Sequence, residues 1–389
     1  MLNHLPEAAR LTVPDDLAAF FTDNGRALGA AEVTLYLVDH EQRVLVPLPL
    51  RGGTERSPQA IDSTLAGLCF RRLTVQNSDR GRRMWVPVLD GLERLGVLEL
   101  DLDGGDRPDP EQVKAFAAMI AEIVMVKGAY GDLFHRIRRR RQMSMAAEIA
   151  WNLLPPLTFG TDRLVISAVL APVWDLGGDS FDYAVDATTA RFAVIDAMGH
   201  GLDAGWLATL VIGAYRNSRR QDLDLTGTVA AIDRALHQQF SGDRFATAVV
   251  AELELASGRL RWHSAGHPAP LLLRRGRVVK TLEGGRGLPL GLGPLNPGIG
   301  IAEERLERGD RLLLFTDGVP EARSREGEFF GLDRLADLVA REDAAGNPAP
   351  ETMRRLMHAI LDHQIGDLRD DATAMLVEWQ GGGADRIVP

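Results

Sequence analysis

The sequence predicts an α+β protein of two or three domains. A chain of 389 residues is too long for one compact core. Its C-terminal two thirds alternate short apolar segments with hairpin signals: "AELELASGRLRWHSA" turns at Ser257-Gly258, and "LLLRRGRVVKTL" turns around Gly276. Helical-period segments stand apart from these hairpins. That arrangement indicates helices layered on antiparallel sheets and not a doubly wound parallel sheet.

Taken in order, residues 15–29 read as an amphipathic helix. "AEVTLYLVD" (Ala31–Asp39) and "RVLVPLP" (Arg43–Pro49) alternate like paired strands. "TLAGLCFRR" (Thr64–Arg72) is a short helix, and "RMWVPVLD" and "RLGVLELDLD" are strands joined by a turn around Gly91. A small sheet with flanking helices is expected over residues 1–108. From Pro110 to Leu154, Phe116, Met119, Ile120, Ile123, Val124, Tyr130, Phe134 and Ile137 fall near helical spacing. This predicts one long or once-broken helix over 109–154, ended by Pro155-Pro156. Its apolar stripe is long enough to suggest pairing with a second copy in a dimer. The run "RIRRRR" (Arg136–Arg141) on this segment reads either as a solvated helix face or as an anionic contact, such as a membrane surface or an acidic protein face. Residues 155–380 form the third block, with helices expected at Asp203–Ser218, Thr226–Phe240, Leu332–Arg341 and Glu351–Ile365. The final "GGGADRIVP" (381–389) reads as a disordered tail.

Composition narrows the function classes. A net charge of -10 argues against general nucleic-acid binding. No apolar run is long enough to cross a membrane, and the N-terminus lacks the layout of a secretory signal. Cys69 is the single cysteine, so no intrachain disulfide forms, and a reducing cytoplasm fits best. Cys69 itself reads as a small buried apolar residue.

The chemistry is carried by acids that end strands. "PVWDLGGDSFDY" puts Asp179 directly after Gly177-Gly178, with Asp182 three residues on. "FAVIDAMGHG" ends an apolar run on Asp196, "RLLLFTDGVPEA" ends one on Asp317-Gly318, and "LRDDATAMLVEW" sets Asp370 and Asp371 before a final strand. Singly, each is an ordinary turn or cap acid. Together they would be costly to bury without a counter-charge, and a divalent cation removes that cost. Oxygen ligands without His or Cys suit Mg²⁺ or Mn²⁺. Two ions sharing one carboxylate, about 3.5–4 Å apart, would activate a water against a phosphoryl group. No Ser-His-Asp or Cys-His set competes, and a structural Ca²⁺ would draw its ligands from one contiguous loop.

The motifs "GGDSFD", "DAMGHG", "HSAGHPAPLL", "LPLGL", "FTDGVPEAR" and "DDATAMLV" resemble, in this order, the metal-dependent Ser/Thr protein phosphatase family, most closely its bacterial SpoIIE/RsbU branch. The resemblance runs from about Leu153 to Glu378. It implies an α-β-β-α sandwich with two Mn²⁺ or Mg²⁺ ions in the cleft between the sheets. Carried over, Asp196 would bridge both ions, and Ala197 would offer its carbonyl. Asp179 would hold one ion's water shell, and Asp317 and Asp370 would hold the other ion. Asp370 is preferred to Asp371 as the ligand, and Asp182, His200, His267 and Asp371 are candidates for the surrounding shell. Met198 stands where eukaryotic relatives carry a proton-donating His, which leaves the general acid open between His200 and a bound water. His267 in "AGH" reads equally as a buried structural histidine. The first block resembles a GAF sensor domain through "VTLYLVD", "TLAGLCFRR" and "VPVLDGLERLGVLEL". The implied activity is hydrolysis of phosphoserine or phosphothreonine on a regulatory protein, an anti-sigma-factor antagonist, under control of the sensor block. The alternative is a silent pseudophosphatase that binds a phosphoprotein; retention of all the acids weighs against it.

Overall fold

The computed structural model describes residues 11–381 except 54, 79–80, 105–106, 130, 172–173, 176, 296–297 and 365–370. The tail expected at 381–389 therefore lies almost wholly outside the described residues, as do Asp370 and Tyr130. Two compact units divide between Gln142 and Met143.

The first unit is one antiparallel sheet with helices on both faces. Its strands are β1 (Ala30–Val38), β2 (Val44–Pro47), β3 (Gln59–Ala60), β4 (Gln76–Asn77), β5 (Arg83–Asp90) and β6 (Glu93–Leu102), in the order β3-β2-β1-β6-β5-β4. Period-two alternation sends Val33, Leu35 and Leu37 of β1 to one face, and Tyr36 and Val38 to the other. Helix α1 (Leu17–Gly25) joins the first face. Helix α2 (Leu65–Arg72), capped by the Thr64 hydroxyl, covers the second with Cys69 and Phe70. Cys69 is fully enclosed, and burial pushes its thiol pKa up, so it is inert packing.

The expected long helix is instead three: α3 (Pro110–Gly128), α4 (Leu133–Arg138) and α5 (Met145–Leu153). Val113, Phe116, Ile120, Ile123 and Val124 of α3 and Phe134 of α4 are buried in the core of the first unit, with α3 packed on β5, which adds Met84, Val86 and Val88 to the same core. Most of the described stripe is thus covered within its own unit. The basic run takes part in this docking. Arg138 Nε donates to the carbonyl of Val38 (3.0 Å), and Arg140 lies 3.9 Å from the buried Asp39 carboxylate. At Arg139 the backbone turns extended (φ -88°, ψ 121°), which stops α4.

The second unit is a sandwich of two six-stranded sheets. One carries β9 (Asp179–Val185), β10 (Thr189–Ala197), β11 (Ala246–Glu254), β12 (Arg259–Ala265), β15 (Arg286–Gly287) and β16 (Ala302–Arg305). The other runs β14-β13-β17-β18-β8-β7, built from β7 (Thr158–Gly160), β8 (Leu164–Ala171), β13 (Leu271–Arg274), β14 (Arg277–Thr281), β17 (Arg311–Phe315) and β18 (Ala372–Trp379). Phe181, Phe192, Val194, Val249, Leu312, Leu314, Met375 and Val377 interdigitate between the sheets. The opposite faces bury Ala193 and Ile195 under α6 (Gly201–Arg220) and α7 (Leu225–Phe240), and Leu313 and Leu376 under α9 (Leu332–Ala344) and α10 (Ala349–Gln364). A one-turn helix α8 (Gly318–Glu321) follows β17. This is the expected α-β-β-α sandwich. Among the described residues no helix is long and apolar enough to cross a membrane.

Candidate metal centre

Strand parity explains where the acids go. Phe192 and Val194 point into the gap between the sheets, so Asp196, two residues further along β10, emerges at the end of the same gap. Asp179 opens β9 and is the direct cross-strand partner of Asp196, on the parity of the buried Phe181. From the facing sheet, Thr316 leaves β17 after Leu312 and Leu314, and Asp371 enters β18 ahead of Met375 and Val377. One end of the sandwich thus gathers polar side chains from both sheets.

The contacts are close. Asp179 is 3% exposed, and its Oδ2 accepts from the Thr316 hydroxyl at 2.6 Å. Asp371 Oδ2 accepts from the backbone N–H groups of Gly177 (2.6 Å), Gly178 (2.7 Å) and Asp179 (3.3 Å). Burial, then the negative charges of Asp371 and Asp196, hold the Asp179 carboxyl well above the usual range; hydrogen bonds from Thr316 and Thr373 offset part of this. Asp196 is half-buried, and the Thr247 hydroxyl, opposite it on β11, lies 3.4 Å from its Oδ2. Asp317 is exposed. Its neighbours place it at the mouth, because Thr316 binds Asp179 and Gly318 packs on the Asp371 carbonyl.

Glycine is required here by close approach. A Cβ on Gly178 would stand 2.2 Å from the Ala197 carbonyl oxygen, and one on Gly318 would stand 1.8 Å from that of Asp371. Gly178 therefore packs directly against the Ala197 carbonyl, an approach that only glycine allows. Carboxylates and a carbonyl, with no thiolate and with the nearest imidazole tied to Thr247, are the donor set of a hard divalent cation. The residues fit Mg²⁺ or Mn²⁺. Among the described residues, no three His, Cys, Asp or Glu side chains close around one point as a ready-made cage. Asp179 and Asp371 each spend an oxygen on protein donors, and Asp370 is not described.

One expectation needs correction. Asp182 does not face the cleft. Parity turns it under α6, where Arg216 grips it through Nε and Nη2 (3.0 Å each) and Arg219 Nη2 reaches it at 2.5 Å. His200 is exposed ahead of α6, and its backbone, not its ring, packs on Gly177. Asp371, expected in the surrounding shell, accepts from the Asp179 backbone N–H; Asp370 lies outside the described residues. Sequence reading missed Thr247, Thr316 and Thr373. Their signal was a threonine at the cleft end of an otherwise apolar strand, in "ATAVV", "FTDG" and "DATAM".

His267 is 8% exposed, its Nδ1 is 2.8 Å from the Thr247 hydroxyl, and burial pushes its pKa down to about 3. It stays neutral at working pH and braces Thr247 beside Asp196. The unfolded ring protonates near pH 6.5 while the folded ring resists until about 3, so stability falls as pH drops through that window. Urea titrations at pH 7, 5 and 4 should show His267→Asn losing stability less steeply than the parent, by about 1.4 kcal/mol per pH unit. Parallel pH dependences would refute the assignment.

A sandwich of two sheets wrapped by helices, with acids from both sheets at one end of its gap, is the arrangement that the resemblance to the metal-dependent Ser/Thr phosphatases implies. The chain belongs to the SpoIIE family (Stage II sporulation protein E), whose model matches residues 186–380, just over half of the chain. That span holds Asp196, Asp317 and Asp371, and strand register adds Asp179 from outside it. Among curated proteins the chain is similar to the phosphoserine phosphatase RsbU of Bacillus subtilis, at 24% identity over 239 residues, 61% of this chain and 70% of that one. It is also similar to the phosphoserine phosphatase RsbP of the same organism, at 26% over 190 residues, 47% of this chain and 46% of that one. In fold it is similar to the SiaA-PP2C domain of Pseudomonas aeruginosa: TM-score 0.51, 22% identity, 60% of this chain and 94% of that one.

Proposed function

We propose that the protein is a Mn²⁺- or Mg²⁺-dependent phosphatase that removes phosphate from phosphoserine or phosphothreonine on a regulatory protein. The observation that carries this is the convergence of Asp179, Asp196 and Asp371 at one cleft, with Asp179 held well above the usual carboxylate range by burial and its two acidic neighbours. Asp196, the Ala197 carbonyl, Asp179, Asp317 and Asp370 would hold two ions, as the family resemblance implies. Such ions supply a water-derived nucleophile at neutral pH and neutralise charge on the phosphoryl oxygens. The chain's own groups orient the donors: Thr316 fixes Asp179, and Gly178 packs against the Ala197 carbonyl. His267, neutral and engaged by Thr247, is not the acid that protonates the leaving alkoxide. The exposed His200 remains a candidate for that role, beside solvent.

The names of RsbU and RsbP as phosphoserine phosphatases support phosphoserine as the target, and the motif resemblance implies an anti-sigma-factor antagonist as the protein that carries it. We assign the first unit, in keeping with its GAF-like motifs, to sensing a signal that regulates the phosphatase unit. The absence of any long apolar helix among the described residues is compatible with action in the cytoplasm. The test is release of phosphate from an aryl phosphate and from phosphoserine peptides. Activity should require Mn²⁺ or Mg²⁺, vanish in excess EDTA and return on adding back the ion. Undiminished turnover in EDTA would sink the reading, and no turnover with either ion would favour the silent binding protein.

A further inference from the structure

We infer that Asp371 is a positioning residue, acting on the centre as a hydrogen-bond acceptor for the Gly177–Asp179 turn and not as a ligand of the ions. The inference rests on the metal-dependent reading above. One oxygen of Asp371 receives three consecutive backbone N–H groups, at 2.6, 2.7 and 3.3 Å. Successive N–H groups converging on one oxygen form an anion-holding nest, and an oxygen so occupied has little left to offer a cation. The nest is the Gly177-Gly178 turn and the first residue of β9, while Asp371 stands immediately ahead of β18 in the facing sheet. The contact therefore spans the gap of the sandwich and fixes the backbone from which Asp179 projects.

The glycines agree with this role. A Cβ on Gly177 would meet Asp371 Oδ2 at 3.2 Å, and one on Gly318 would collide with the Asp371 carbonyl. Both "GG" and "DG" are thus shaped around Asp371 from its two sides. The N–H groups need an oxygen acceptor at that point, and a neutral amide oxygen meets the same need as a carboxylate. A direct ligand behaves otherwise, because an amide is a much poorer partner for a hard divalent ion.

The experiment compares full-length Asp371→Asn, Asp371→Ala and Gly178→Ala with the parent, reading Mn²⁺ affinity by titration calorimetry and the thermal midpoint without added metal. Gly178→Ala distorts the same turn without touching a carboxylate, since its Cβ would fall 2.2 Å from the Ala197 oxygen. Asp371→Ala and Gly178→Ala should weaken Mn²⁺ binding by about 10- to 100-fold, as expected for groups that orient ligands. Asp371→Asn should bind Mn²⁺ within about threefold of the parent, a difference below 1 kcal/mol, and should keep the thermal midpoint that Asp371→Ala loses. If Asp371→Ala does not fold, the other two variants decide. Equal losses in the Asn and Ala variants, or parent-like binding by Asp371→Ala, would overturn the inference alone. A parent that binds no Mn²⁺ would overturn the metal reading and this inference with it.

Discussion

Asp196→Asn is expected to lower phosphate release by on the order of 1000-fold, the upper range for removing one preorganised electrostatic partner from a reaction centre. The expectation follows from where the side chain stands. It is half-buried at the end of β10, directly across from the enclosed Asp179 and beside Thr247, with the Ala197 carbonyl next in line. Asparagine keeps the shape and removes the charge. The fold should not suffer, because Asp196 is one of the two charges that raise the Asp179 pKa, and neutralising it relieves repulsion. The thermal midpoint without metal should therefore match or exceed that of the parent. Mn²⁺ should raise the parent's midpoint through linkage and leave that of Asp196→Asn nearly unmoved. Equal turnover by the two proteins would remove Asp196 from the centre.

Asp182→Ala should do the reverse, damaging the fold and sparing the metal centre. Asp182 is 2% exposed in its side chain and holds Arg216 bidentately and Arg219 at 2.5 Å. Arg216 also donates to the Leu153 carbonyl at the end of α5, so three elements meet at this carboxylate. Its removal leaves two neighbouring guanidinium groups, 28% and 12% exposed, without their shared acid. Orphaning a buried partner costs about 3–5 kcal/mol, and the partial exposure of Arg216 puts the figure near ~3 kcal/mol. For a unit of this size that is a drop of roughly 6–12 °C in the melting midpoint. Mn²⁺ affinity of the folded fraction should be unchanged, because the side chain lies on the helix-covered face of β9. A loss of Mn²⁺ affinity with an unaltered midpoint would return Asp182 to the cleft.

Asp179 and Asp182, three residues apart in "GGDSFD", show how far sequence can be read. Asp179 and Asp182 look alike as turn acids, yet odd and even positions of one strand face different layers, and only β9's start at Asp179 tells which is which. The helical segment from Pro110 misled for a related reason. Its 3.6-residue stripe is real, but a stripe does not name the surface that covers it, and here most of the cover is the sheet of its own unit.

The chain's pattern alone was enough for the class of fold, the hairpins, most helices and the set of strand-ending acids, because alternation, glycine turns and charge at a strand's end are local properties of short segments. Which acids share a cleft, which one is spent on arginines, and that three threonines and a backbone nest orient the rest depended on register and on how two sheets face each other. Those are contacts between residues as far apart as Gly177 and Asp371. No window of sequence contains both partners of such a contact, so only the folded sandwich, by bringing the ends of β9, β10, β17 and β18 to one edge, could make the choice.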